Sequence, residues 1–143
     1  MTREQIESAI ATGAKLSLNG QNLCGINLSG LRMSGFDFSY AKLEKANLTG
    51  TTLEKAILWS VLGRNANLSD ANLSGSNLGT ADLSGSNLCR ANLRGASLLG
   101  TNLSSADLRG ANLQDADLTN VLLQGAVYDE ETKWPINFKP PHR

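Results

Sequence analysis

Residues 66–95 read ANLSD-ANLSG-SNLGT-ADLSG-SNLCR-ANLRG, a run of pentapeptides with leucine in the middle of each. The spacing continues on both sides. Stepping by five from Leu18 to Tyr128 gives 23 positions, of which 19 are leucine. We call these 23 the central residues; the exceptions are Met33, Phe38, Gly63 and Tyr128. The residue two before a central residue is alanine in 12 cases, and glycine often lies two after it.

A period of five fits neither an α-helix, which needs apolar spacings of three and four, nor a simple strand, which alternates at two. It fits a short extended side in which the central residue and the residue two before it point inward. A turn follows at glycine, asparagine or aspartate, which tolerate positive φ. If four sides close one turn, a coil has about 20 residues and adjacent coils are about 4.8 Å apart. The central residues then predict about six coils and a rod of about 27 Å.

Charged residues favour this four-sided coil. Residues 20 apart would be neighbours on adjacent coils, and like charges facing each other there are destabilising. Three opposite-charge pairs and no like-charge pair have this spacing within the repeat: Glu44 with Arg64, Asp70 with Arg90, and Arg109 with Asp129. Asparagines recur at the same spacing, and we expect their amides to bond to one another and to neighbouring turns: Asn27, Asn47, Asn67 and Asn87.

With this motif the chain resembles the pentapeptide-repeat proteins over residues 16–130, and its closing YDEETKWP is similar to the ends of many cyanobacterial members. The resemblance implies an all-β fold, a right-handed quadrilateral β-helix. It implies little about function, because repeats of this kind occur in proteins with unrelated roles.

Both ends of the repeat should be capped, since a solenoid otherwise exposes its core. Thr2 and Gln5 fit a capping box, which predicts a short helix over residues 2–12. We expect an N-terminal helical cap at 1–15, the β-helix at 16–130, and a C-terminal cap and tail at 131–143. Four apolar residues near the C-terminus predict an end cap or, as in some members of the family, a dimer contact: Tyr128, Trp134, Ile136 and Phe138.

Composition excludes several classes of partner. Net charge is zero, with 13 basic and 13 acidic residues, which argues against nucleic-acid binding. No apolar run approaches the roughly 20 residues that span a bilayer, and the N-terminus has no apolar core of a signal peptide. Cys24 and Cys89 should lie about three coils apart, as free, outward-facing thiols that suit a reducing cytoplasm.

No catalytic, cofactor or metal site is expected, so the chain is not predicted to be an enzyme. The single histidine, His142, lies in the tail and cannot complete a Ser-His-Asp set, and no phosphate-binding glycine loop is present. Three aspartates occupy the turn position of the repeat, where a structural role is expected: Asp82, Asp107 and Asp117. Three arginines near one corner could hold an anion, although a charge-balanced, solvated face is favoured: Arg90, Arg94 and Arg109.

Residues 56–65, AILWSVLGRN, keep the five-residue spacing of the repeat but lack its usual residues. Trp59 should point outward, with Gly79 leaving a gap beyond it. An apolar cluster on an otherwise polar surface suggests a protein-contact face: Tyr40, Ile57, Trp59 and Leu99. The alternative is that Trp59 covers the irregular segment 61–65, where Leu62 could slip inward to fill the space that Gly63 leaves.

These observations predict a non-catalytic, rigid protein-interaction scaffold, either a monomer or an end-to-end dimer. The alternative function, implied by family members, is a DNA-mimic inhibitor of a DNA-handling enzyme such as gyrase. Zero net charge counts against that alternative.

Overall fold

A computed structural model describes residues 1–14 and 16–142; Lys15 and Arg143, which close the predicted N-terminal cap and C-terminal tail, lie outside them. The helix α1 spans Arg3–Ala11. The side chain of Thr2 accepts a hydrogen bond from the backbone N–H of Gln5, and the Gln5 side chain accepts from the N–H of Thr2. The predicted capping box is therefore confirmed.

Helix α1 lies over the first coil. Ile6 is fully buried and Ile10 packs against the core. The guanidinium of Arg3 donates to the carbonyls of Asn27 and Ser29, at 3.1 and 3.2 Å. The helix thus covers apolar core and satisfies exposed carbonyls at the same end of the rod.

From Ser17 the backbone winds as a right-handed quadrilateral β-helix whose coils pair in parallel. Each bridge joins the residue before a central residue to its equivalent 20 residues later, from Ser17 with Asp37 to Asp107 with Val127. The bridges involve single residues, so each side is a short extended segment. The last bridge joins Asn112 to Lys133, so one extra residue enters the final coil. The spacing confirms the four-sided coil.

Each side repeats three hydrogen bonds to neighbouring coils. The N–H of a central residue donates to the next coil, as Leu88 does to the carbonyl of Asp107 at 2.8 Å. The corner N–H does the same, as Arg90 does to Arg109 at 2.9 Å. The N–H before the central residue donates backward, as Asn87 does at 2.9 Å. Toward the C-terminal end, each side therefore presents two donors and one acceptor.

The core is the stack of central residues, all of which are buried. Corners lie at positive φ, for example 70° at Gly95 and 58° at Arg90. Side-chain oxygens brace these turns: Asn47 Oδ1 accepts from the N–H of Thr49 at 3.0 Å. In the described residues, the stacked asparagine oxygens bond to their own turns and not to one another, which corrects that part of the prediction.

The coil passes through the irregular segment in register. The N–H of Gly63 donates to the carbonyl of Asp82 at 2.7 Å, as the other central residues do to their partners. A Cβ on Gly63 would lie 2.8 Å from Cδ2 of Leu83, so Leu83 on the next coil fills the space that glycine leaves. Leu62 is 40% exposed, so the suggested inward slip is wrong.

The ion pairs follow the 20-residue spacing only in part. Asp70 and Arg90 pair at 2.8 Å, as predicted. Glu44 with Arg64 and Arg109 with Asp129 form no direct ion pair, because both arginines bond to turn aspartates: Arg64 to Asp82 at 2.7 Å and Arg109 to Asp107 at 2.6 Å. Those aspartates are already held in place by the turns that follow them. Their fixed carboxylates are therefore ready partners for a nearby guanidinium.

Candidate interaction surfaces

The Trp59 face, which we define as Tyr40, Ile57, Trp59 and Leu99, occupies one side and an adjoining corner of the rod. Tyr40 is at a corner, with φ of 61°, and its N–H donates to the carbonyl of Trp59 on the next coil at 2.9 Å. The Trp59 ring lies across Gly79, because a Cβ there would be 2.5 Å from the ring's Cε3. The glycine therefore provides the space in which the ring rests.

The members of this face differ in exposure. Tyr40 is 58% exposed, Ile57 and Leu99 are about 40% exposed, and Trp59 is half-buried. Leu62, on the adjoining side, is as exposed as Ile57 and was not included in the predicted face. Its position one before a central residue belongs to an outward column, a signal that could have identified it.

The C-terminal aromatic residues pack as a cluster. Tyr128 and Trp134 meet edge to face with ring centroids 5.2 Å apart, and Trp134 and Phe138 stack at 5.3 Å. Trp134 and Phe138 also pack against the core, whereas Ile136 is 90% exposed. The structure thus places three of the four residues predicted as an end cap or dimer contact together and leaves Ile136 in solvent.

A groove of about 870 Å³ lies at this end of the rod. Its lining comes partly from the last coil, including Leu123 and Tyr128, and partly from the C-terminal segment, including Phe138, Lys139 and His142. None of the residues that line it is acidic.

The predicted arginine corner carries no free anion site, because each arginine pairs with a carboxylate: Arg90 with Asp70, Arg94 with Asp115, and Arg109 with Asp107. Hydrogen bonds from Arg109 lower the pKa of Asp107 to about 2. The three ion pairs support the predicted charge-balanced, solvated surface at this corner.

Both cysteines are free, but their exposure differs. Cys24 is exposed, as predicted, whereas Cys89 is buried, which corrects the expectation that both thiols face solvent. Burial raises the pKa of Cys89, and a hydrogen bond to Asp107 raises it further. Asp107, a turn aspartate on the next coil, therefore hydrogen-bonds to a thiol that belongs to an outward column.

The part of the chain that the structure describes offers few other groups that could form a binding site. No group of three or more histidine, cysteine, aspartate or glutamate side chains is placed to hold a metal ion. The predicted turn aspartates each accept the backbone N–H two residues later, which confirms their structural role: Asp82, Asp107 and Asp117. Within residues 1–14 and 16–142, no helix is both long and apolar enough to cross a membrane.

A family model described as pentapeptide repeats matches residues 17–54, 66–98 and 86–125, in 8 copies. These ranges cover well over half of the chain and leave out 55–65, the segment that contains Trp59 and Gly63. A search of curated proteins finds no match.

Similar solved structures include pentapeptide repeat proteins of one plant and of cyanobacteria. A pentapeptide repeat protein of the Arabidopsis thaliana thylakoid lumen is 33% identical, with a TM-score of 0.56 over 64% of this chain and 68% of that one. One from Cyanothece is 29% identical, with a TM-score of 0.43 over 91% and 99%. One from Nostoc is 31% identical, with a TM-score of 0.40 over 96% and 88%.

Proposed function

The chain belongs to the pentapeptide-repeat family, and on that premise we propose that it is a non-catalytic, rigid scaffold that binds a protein partner through its Trp59 face. The observation that carries the proposal is the exposed apolar cluster itself. The fold needs only small or polar residues at outward positions, yet Tyr40, Ile57 and Leu99 are exposed there. Large exposed apolar and aromatic residues that cluster are typical of protein contacts.

The backbone beneath this face supports such a role. Every residue of the face lies on a coil with regular hydrogen bonds on both sides, so the contact surface is ordered before a partner binds. A preorganised surface loses little conformational entropy on association. The family match omits 55–65, so the part of the face formed by Ile57 and Trp59 departs from the common repeat.

The test compares two variants as bait in lysate of the native host. Trp59→Ala with Leu99→Ala removes the centre of the face. Ile136→Ala, the control, removes an exposed apolar residue of the C-terminal segment that lies outside this face. We expect the first variant to lose specific partners and the second to keep them, with circular dichroism unchanged in both. Retention of the same partners by the first variant would refute this face as the binding site.

We also propose that the protein works in the cytoplasm. Two free thiols and no disulfide among the described residues support a reducing compartment. Detection of the native protein in a membrane-enclosed, oxidising compartment by cell fractionation would contradict this assignment.

A further inference from the structure

The last coil leaves part of its hydrogen-bonding edge open. One coil earlier, the N–H groups of Leu103 and Ser105 donate to the carbonyls of Leu122 and Gln124, at 2.8 and 2.9 Å. Four equivalent N–H groups in the last coil have no acceptor within residues 1–14 and 16–142. They belong to Leu118, Asn120, Leu123 and Gly125. Because each side presents two donors and one acceptor in this direction, the C-terminal edge has an excess of donors.

The protein itself shows which groups satisfy its two edges. At the opposite, acceptor-rich edge, the cationic side chain of Arg3 donates to the carbonyls of Asn27 and Ser29. At the C-terminal edge, where the extra residue interrupts the coil, the carboxylate of Asp129 accepts from the N–H of Gly110 at 3.1 Å. A carboxylate thus replaces the missing backbone carbonyl at one corner.

The groove next to the open donors has matching chemistry. Its apolar surface comes from residues such as Val121, Leu123 and Ala126, and its basic side chains are those of Lys139 and His142. The structure pairs neither of these two side chains with a carboxylate of the described residues. Backbone donors without an acceptor, apolar surface and a lysine without a carboxylate partner favour an extended chain that carries carboxylates.

We propose that the edge formed by residues 121–125 binds an extended acidic segment of a partner protein by strand addition. Carbonyls of the segment accept from the N–H groups of Leu123 and Gly125, as coil residues do elsewhere in the rod. The carbonyl of Val121 accepts in return, and acidic side chains face Lys139. This site is separate from the Trp59 face and does not depend on it.

The experiment uses the full-length, ¹⁵N-labelled protein and two blocked hexapeptides, Glu-Val-Glu-Val-Glu-Val and Lys-Val-Lys-Val-Lys-Val. Without peptide, the amides of Leu123 and Gly125 should exchange rapidly with solvent, while those of Leu103 and Ser105 are protected. Saturating acidic peptide should slow exchange at Leu123 and Gly125 by about tenfold or more, since bonded strand amides are protected. The basic peptide should give no such protection.

Charge-reversal variants test the polar part of the site. Lys139→Glu should weaken binding of the acidic peptide by roughly threefold, as for an exposed ion pair. Lys45→Glu, the same charge change on a distant coil, should leave it unchanged. The Trp59→Ala/Leu99→Ala variant should also bind the peptide normally, so a failure of either proposal is distinguishable from a failure of the other.

Two results would overturn strand addition. The first is equal protection by the two peptides, or none by either. The second is protection of Leu123 and Gly125 before peptide is added. If light scattering then gives twice the monomer mass, a second copy of the chain covers the edge; if it gives the monomer mass, the chain's own tail does.

Discussion

Replacing Gly63 with alanine should destabilise the parent protein but stabilise a variant in which Leu83 has been shortened. The new Cβ would lie 2.8 Å from Cδ2 of Leu83, which is 98% buried and cannot move without disturbing the core. Overpacking of this kind costs about 1–3 kcal/mol, and replacing glycine with alanine returns about 0.4–1 kcal/mol through the unfolded chain. At the midpoints of these ranges the net loss of unfolding free energy is about 1.3 kcal/mol, and the extremes are about 0 and 2.6 kcal/mol.

Leu83→Ala alone should cost about 2.7–5 kcal/mol, as for other buried leucines. In that background the clash is gone, so Gly63→Ala should gain about 0.4–1 kcal/mol. The double-mutant cycle therefore predicts a coupling of about 1–3 kcal/mol.

Urea unfolding of the four proteins measures this cycle, with circular dichroism and tryptophan fluorescence followed together to check that one transition is observed. Leu113→Ala, one and a half coils beyond Leu83, is the matched background in which Gly63→Ala should remain destabilising. The reasoning is refuted if Gly63→Ala has the same sign and size in the Leu83→Ala and Leu113→Ala backgrounds.

Three further predictions concern charges, thiols and the N-terminal cap. In Arg109→Ala, the pKa of Asp107 should rise from about 2 toward its ordinary value, as followed by NMR titration. A carboxyl group with a depressed pKa stabilises the fold above its unfolded pKa of about 3.9, and this stabilisation is lost as the pH falls toward the folded pKa. Arg109→Ala should therefore lose less stability between pH 4 and pH 2 than the parent does. An equal loss would exclude the ion pair. Cys89 should react with a thiol reagent at least about tenfold more slowly than Cys24, since its thiolate is both buried and disfavoured, and equal rates in single-cysteine variants would contradict its burial. Thr2→Ala should cost about 1 kcal/mol in urea unfolding, whereas Thr2→Ser should cost little; equal losses would show that the cap bond is not what matters.

The backbone could be predicted from the sequence because the residues of each pentapeptide determine its local conformation. A buried leucine, a small residue two before it and a turn residue two after it fix one side of the coil. Repetition then sets the register. For this reason the N–H of Gly63 still donates to the carbonyl of Asp82, although glycine stands where most repeats have leucine. Helix α1 could be predicted equally well, because the hydrogen bonds between Thr2 and Gln5 are local.

Side-chain partners were harder to predict, because a column of residues does not determine where a long side chain turns. Arg109 had aspartates available both 20 residues ahead and on its own turn, and it bonds to Asp107 on that turn. The thiol of Cys89 hydrogen-bonds to the same aspartate, which reaches it from the next coil. In the Trp59 face, the repeat predicted which residues point outward, but not that Gly79 would receive the indole ring.

The central structural claim is that the β-helix continues in register through residues 55–65. Through-hydrogen-bond NMR coupling between the ¹⁵N of one residue and the carbonyl ¹³C of its partner measures this register directly. We predict a coupling from Gly63 to Asp82 and one from Leu62 to Ala41. A coupling from Leu62 to Asp82 would show that the segment has slipped by one residue, and it would contradict both the intact coil and the Trp59 face built on it.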